Sequence, residues 1–193
     1  MRFTGHSPNT VTAYVRYFRQ VVCEAVVNDD NMVGGEGIVV EIDESKFGKR
    51  KDNRGHAVEG VWVVGGMERT DERGFFAETV TDRTAPALMD VITRHVRPGS
   101  IIHTDLWRGY TGLEELRFNH RTVNHSLFFV GPDGVYTNTI EGCWNGVKLN
   151  VATRNRNANE MDDCLLEFIW RRKNNDDLWE GFVDALRNTL FTE

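Results

Sequence analysis

Apolar and polar positions alternate along the chain with two periods, and the clearest pattern lies in residues 137–150, TNTIEGCWNGVKLN. Ile140, Trp144, Val147 and Val151 recur at helical spacing and predict a core-facing stripe, while Asn138, Glu141, Asn145 and Lys148 fall on the other side. An N-terminal helix is predicted from Ser7, a capping residue, and Pro8, which fits a first turn where no backbone N–H is needed. Its apolar face runs Val11, Tyr14, Val15, Phe18, Val22 and Ala25. It reads as a packing helix, with the second helix of a helix-turn-helix as the sharper alternative. Residues 28–37 are polar and glycine-bearing, which predicts a linker.

Period two takes over at residues 38–43, IVVEID, a strand expected to end by presenting Asp43 and Glu44, followed by a basic loop. Residues 58–67 and 74–80 are two further strands around the charged turn ERTDER. A helix is predicted over 84–96 from Leu88, Val91, Ile92 and His95, stopped by Arg97-Pro98-Gly99. Residues 100–104 form a short apolar strand ending in Asp105. A short helix over 110–116 and a short strand over 121–124 follow, and 126–136 is a loop. Asn157 and Glu160 are spaced as a capping box before a helix buried through Met161, Leu165, Phe168 and Ile169. A last helix begins near Asp177. The order predicts an α/β fold, a ribonuclease H-like mixed five-stranded sheet flanked by helices, with an N-terminal helix and a C-terminal helical tail. Residues 1–34 are expected as that helix and its linker, and 35–193 as the main domain. Such a fold sets the first and fourth strands side by side and brings Asp43 to Asp105.

With 193 residues the chain is long enough for one well-buried domain, and 40% hydrophobic with 27% charged residues is an ordinary globular composition. No apolar run approaches the roughly 20 residues of a membrane span, and no signal pattern opens the chain, so an intracellular protein is expected, nuclear in a eukaryote and cytoplasmic in a bacterium. Cys23, Cys143 and Cys164 are scattered and sit in apolar helical patterns, which predicts buried thiols. The net charge of −6 excludes a protein that coats nucleic acid over its whole surface. Basic residues nevertheless cluster: Lys46, Lys49, Arg50, Lys51, Arg54 and His56 in one stretch, Arg117, His120, Arg121 and His125 in another, and Arg171, Arg172 and Lys173 at a helix end.

Asp43, Asp105 and Glu141 together would make a three-carboxylate site. Phosphodiester cleavage needs an activated oxygen nucleophile and a stabilised leaving group, and two divalent ions roughly 3.5–4 Å apart supply both. Hard Mg²⁺ or Mn²⁺ favours carboxylate oxygens. Asp43 would bridge two ions, with Asp105 and Glu141 each completing one. Lys148, two helical turns after Glu141 on the same face, is expected to meet a DNA phosphate or terminal base. His103 is two residues before Asp105 and could be metal-adjacent, although a satisfied core histidine is the plainer reading. Asn138, one turn before Glu141, is an alternative ligand or cap. Trp107 and Trp144 read as core rather than stacking platforms. Lys46, Lys49, Arg50, Lys51 and Arg54, next to Asp43, have a claim to phosphate contact.

The stretches EIDESKFGKRK, IHTDLWRGY, NHSLFFVGPDGVYTNTIEGCWNGVK and LLEFIWRRKN resemble, in order and spacing, the transposase domain of the Merlin-type elements and their bacterial insertion-sequence relatives, of the DDE superfamily. That resemblance implies a ribonuclease H-like fold and Mg²⁺-dependent strand cleavage and transfer at transposon ends. It places the catalytic triad on Asp43, Asp105 and Glu141, keeps Asn138 as a second candidate for the third ligand, and matches Lys148 to the basic residue that follows. DNA, as terminal repeats and target, is the implied partner, and self-association as a homodimer is expected; no membrane is. Family members usually carry an N-terminal zinc-binding segment and a complete helix-turn-helix, whereas this chain starts at what resembles the last helix of that module. A catalytically silent, host-adopted or truncated DNA-binding derivative is the alternative.

Overall fold

In the computed structural model the described residues are 5–48, 60–116, 118–124, 130–131 and 134–189. The basic residues Lys49, Arg50, Lys51, Arg54 and His56, together with Arg117 and His125, lie outside them. The chain divides into two units, one formed by residues 31–162 and one by residues 1–30 with 163–193.

The 31–162 unit is α/β. Its five strands are β1 (Val39–Phe47), β2 (Val61–Glu68), β3 (Phe75–Val80), β4 (Ile101–Asp105) and β5 (Asn119–Val123), in the order β3-β2-β1-β4-β5. β1, β2 and β3 form an antiparallel meander, whereas β4 and β5 run parallel to β1 and to each other. The sheet is therefore mixed, and the first and fourth strands are neighbours as the element order predicts.

Side chains alternate across β1. Val40 and Ile42 point to one face, where they meet Val64, Phe76, Ile102 and, from helix α2 (Ala85–His95), Leu88, Val91 and Ile92. Glu41, Asp43 and Phe47 point to the other, which helix α3 (Asn138–Asn150) covers. β1 runs four residues past the strand end expected at Asp43, because β2 pairs along its length to Phe47 opposite Val61. The helix expected over 110–116 is instead a 3-10 turn at Arg108–Tyr110 followed by turns. Tyr110 and Leu113 still reach the core from it.

The other unit is helical: α1 (Pro8–Val27), most of α4 (Met161–Lys173), and α5 (Leu178–Asn188). The Ser7 hydroxyl accepts from Thr10 N at 3.2 Å, so the expected cap forms. Only Val22, Cys23 and Val26 of α1 are buried, however, and Tyr14, Val15, Tyr17 and Phe18 stand half-exposed. Arg19 pairs with Glu167 on α4 at 2.7 Å, and Phe18 meets Phe182 of α5 edge to face at 5.2 Å. Asn157 does cap this turn, its carboxamide oxygen accepting from Asn159 N at 3.0 Å and its carbonyl from Met161 N at 3.0 Å, so the cap bond falls two residues on where the box pattern puts it three on. All three cysteines are free and buried. Among the described residues no helix is long and apolar enough to cross a membrane.

Candidate active site

A buried acid anchors α3 onto the sheet. Glu41 has no exposed surface and accepts four hydrogen bonds: from Arg69 Nε at 2.6 Å, from the Thr139 hydroxyl and amide at 2.9 Å each, and from Ile140 N at 3.1 Å. A carboxylate at a helix N-terminus satisfies amides that the helix itself leaves without acceptors. Thr137, the residue before α3, makes no such bond with its own side chain. Arg69 also donates to the Tyr136 carbonyl at 2.6 Å and stacks over the Tyr136 ring at 3.4 Å. At the other end of α3, Arg156 Nε donates to the Val151 carbonyl at 3.1 Å. The helix is thus held at its N-terminus by Glu41, 99 residues from Ile140, and at its C-terminus by Arg156, only five residues beyond Val151.

This anchoring brings Trp144 onto Asp43. The indole Nε1–H donates to Asp43 Oδ2 at 2.9 Å. Room for the ring comes from Gly65, the residue paired with Asp43 across β2, where a Cβ would stand 2.6 Å from the indole. Phe47 and Phe75 pack edge to face against the ring at 5.9 and 6.1 Å. Trp144 is core, as its spacing predicts, and its polar edge also orients an acid.

The parallel β1–β4 ladder pairs Val39 with Ile101, Val40 with Ile102 and Glu41 with His103, and ends there. Two residues further along each strand stand Asp43 and Asp105, on the same face as the Glu41–His103 pair. Asp43 thus stands just beyond the parallel ladder though in the middle of its own strand. Burial, with the negative charges of Glu44 and Asp105 nearby, pushes the Asp43 carboxyl up to about 7 against the pull of the Trp144 hydrogen bond. Asp105 Oδ1 accepts from Trp107 N at 3.0 Å. Glu44 faces the other way and is satisfied by the Tyr110 hydroxyl at 2.6 Å and Arg83 Nη1 at 3.0 Å.

Glu141 sits one turn before Trp144 on α3 and is exposed. Among the described residues no group of three His, Cys, Asp or Glu side chains is gathered closely enough to hold a metal ion. The structure brings Asp43 and Asp105 together and carries Glu141 on the helix that contacts Asp43. Lys148 is exposed on the same edge of α3, with Nζ 5.6 Å from the Phe47 ring centre, and Asn138 is the first residue of the helix. Lys46 is exposed on β1 with Nζ 5.3 Å from the Trp62 ring centre.

His103 is buried beneath this edge. Burial, with Arg69 and Arg121 nearby, pushes its imidazole down to about 4, although the Tyr136 carbonyl acts in the opposite sense. Neither ring nitrogen makes a well-formed hydrogen bond among the described residues, so it is not the satisfied core histidine expected. A cavity of about 370 Å³ opens beside Asp105, lined by Leu106, Trp107, Arg108, His120 and Thr122 among others.

Sequence reasoning passed over Glu41, although the signal was present: an acid two residues before Asp43 in an otherwise apolar strand must share its face. It also passed over Arg83 and Trp62, which nothing in the local pattern singles out.

Two comparisons bear on what this arrangement is for. A protein of Haemophilus influenzae described as an uncharacterized transposase-like protein is 30% identical over 102 residues, which is 52% of this chain and 82% of that one. The family described as the ISXO2-like transposase domain matches residues 23–172, a span that takes in the whole sheet, α3 and the edge where Asp43 meets Asp105. The chain belongs to the ISXO2-like transposase family.

Proposed function

We propose that this chain is the catalytic part of a DDE transposase with a ribonuclease H-like fold, cutting and joining DNA strands at transposon ends with divalent metal. The observation that carries the reading is the parallel β1–β4 register, Glu41 opposite His103, which has Asp43 and Asp105 each two residues further on, with Asp43 under the helix that bears Glu141. The 3-2-1-4-5 strand order with its antiparallel meander supports the fold assignment.

The residues suit hard cations. Asp43 is a half-buried acid near Glu44 and Asp105, and its neutral form is favoured up to about pH 7, first because burial desolvates its charge and then because those two carboxylates repel it. Asp43, Asp105 and Glu141 would hold Mg²⁺ or Mn²⁺, two ions being expected, with Asn138 the alternative third ligand. When bound, the ions supply activation of the attacking oxygen and neutralisation of the leaving one. The chain's own part is positional. Trp144 fixes one Asp43 oxygen and so orients the carboxylate. Glu41 and Arg69 hold α3 at the depth that makes this contact. Lys148 and Lys46 present ammonium groups to the phosphate backbone on either side of the acids, and Lys49, Arg50, Lys51 and Arg54 extend that basic surface in sequence.

DNA is the proposed partner, as terminal repeats and target, with two copies of the chain bringing two ends together. Purified protein with Mn²⁺ is expected to nick DNA or join a precut terminal-repeat oligonucleotide, and Asp105→Asn is expected to abolish both while leaving thermal stability near wild type. Cleavage undiminished by that substitution rejects the acid set. Binding without cleavage under every metal condition replaces the enzyme with a silent DNA-binding derivative.

A further inference from the structure

On the α2 side of the same sheet edge, cations and indoles stack in a row. The Arg83 guanidinium carbon lies 3.8 Å from the Trp62 ring centre and 4.7 Å from that of Trp107. Lys46 Nζ lies 5.3 Å from the same Trp62 ring. The row is tied to the acids on both sides: Glu44, next to Asp43, accepts from Arg83 Nη1, and the backbone N–H of Trp107 donates to Asp105 Oδ1. Trp107 is itself braced by Tyr110, edge to face at 5.8 Å, and packs so closely over Gly109 that a Cβ there would lie 2.0 Å from the ring.

Holding an arginine between two indoles immobilises a side chain that otherwise loses considerable rotamer freedom on binding. One Glu44 hydrogen bond is the single one this side chain makes among the described residues, and a third of it remains exposed. Its Nε and Nη2 donors thus have no acceptor among the described residues. A guanidinium with free donors in a rigid fork matches a phosphate group, and the neighbouring Lys46 adds a second positive charge. A purely structural Arg83–Glu44 pair would require neither the two indole faces nor an exposed ammonium stacked behind one of them.

We propose that Arg83, clamped between Trp62 and Trp107 and joined by Lys46, binds a backbone phosphate of the DNA strand that reaches the Asp43–Asp105 edge. The proposal rests on the DNA-cleaving reading of that edge, and it assigns the incoming strand to the α2 side of the sheet, across β1 from the α3 side where Lys148 stands. Binding through a single phosphate clamp is independent of base sequence.

The test is fluorescence anisotropy of a labelled random-sequence duplex titrated with the full chain in EDTA, where no cleavage intervenes, at several salt concentrations. Arg83→Gln is expected to weaken binding roughly tenfold and to reduce the salt slope by about one. Arg83→Lys, which keeps the charge without the flat stacked fork, is expected to fall between the two. Lys46→Gln, a change at an exposed side chain, is expected to weaken binding by a smaller factor, and it carries the test if circular dichroism shows Arg83→Gln to be unfolded. Affinities within about twofold of wild type for each folded variant, with unchanged salt slopes, overturn the proposal. Loss of binding in these variants of a chain that cleaves nothing with Mn²⁺ upholds the phosphate clamp and sinks the catalytic reading instead.

Discussion

At the scale of single residues, Glu41 contributes more to this fold than its place in an apolar strand announces. It is wholly buried, meets Arg69, and satisfies three donors at the start of α3. Removing one partner of a buried ion pair leaves the other uncompensated, which typically costs about 3–5 kcal/mol. Glu41→Ala is therefore expected to lower stability by roughly that amount in urea denaturation. Amide exchange at Thr139 and Ile140 is expected to accelerate with it, whereas a mutation that merely opened a cavity elsewhere would leave those two amides protected. Glu41 belongs to the scaffold, and the proposed chemistry falls to Asp43, two residues on.

At the scale of elements, the contact between β2 and α3 depends on a missing side chain. A Cβ at position 65 would stand 2.6 Å from the Trp144 ring and 2.9 Å from the Phe76 carbonyl, neither of which is the free end of a flexible chain. Gly65→Ala is expected to destabilise by about 1–3 kcal/mol through overpacking, read as a lowered thermal midpoint. α2 is docked on β3 differently, by charge. Glu78 accepts from Arg94 at 2.6 and 2.9 Å and meets His95 Nε2 at 2.8 Å, and His95 stacks on Phe76 with ring centres 4.6 Å apart. The His95 hydrogen bond, with Arg94, holds the Glu78 carboxyl down at about 2 from an ordinary 4.5. A depressed carboxyl stabilises fully above its unfolded value and loses that contribution as pH falls, here between about 4.5 and 2. Glu78→Gln is expected to flatten the acid limb of the stability curve over that window. The effect is on the order of 1 kcal/mol, because Arg94 is half-exposed and solvent screens the pair.

At the scale of the whole molecule, the proposed site is an electrostatic liability in the chain alone. Asp43 is raised from 3.8 to about 7, so folding favours its protonated form. The cost of its charge is absent below about 3.8 and grows as pH rises towards 7, by on the order of 1.4 kcal/mol per unit. Asp43→Asn is therefore expected to be more stable than wild type at pH 8, with the gap closing towards pH 4. Mg²⁺ or Mn²⁺ at pH 8 is expected to raise the thermal midpoint of wild type and not of Asp43→Asn. A midpoint shift equal in both proteins removes Asp43 from the ligand set. Carboxylates assembled for a cation are expected to lower stability until the cation binds.

Much of this was readable along the chain, for a local reason. Hydrophobic period follows from backbone geometry over a few residues, so the order of strands and helices, the stripe Ile140, Trp144, Val147 and Val151, and the buried thiols could be set out from composition and spacing. Lateral neighbours were accessible one step further, since a mixed α/β order constrains which strands can adjoin, and β1 and β4 do adjoin. Three things were decided only by packing. β1 continues to Phe47 because β2 offers it a partner there. Trp144 reaches Asp43 because Glu41, 98 and 99 residues away, seats Thr139 and Ile140 at the head of its helix. Arg83 meets both Trp62 and Trp107 because a β3–α2 connection and the chain beyond β4 converge on one edge. Periodicity tells which face a residue takes; only closure of the sheet and its helices determines what stands across from it.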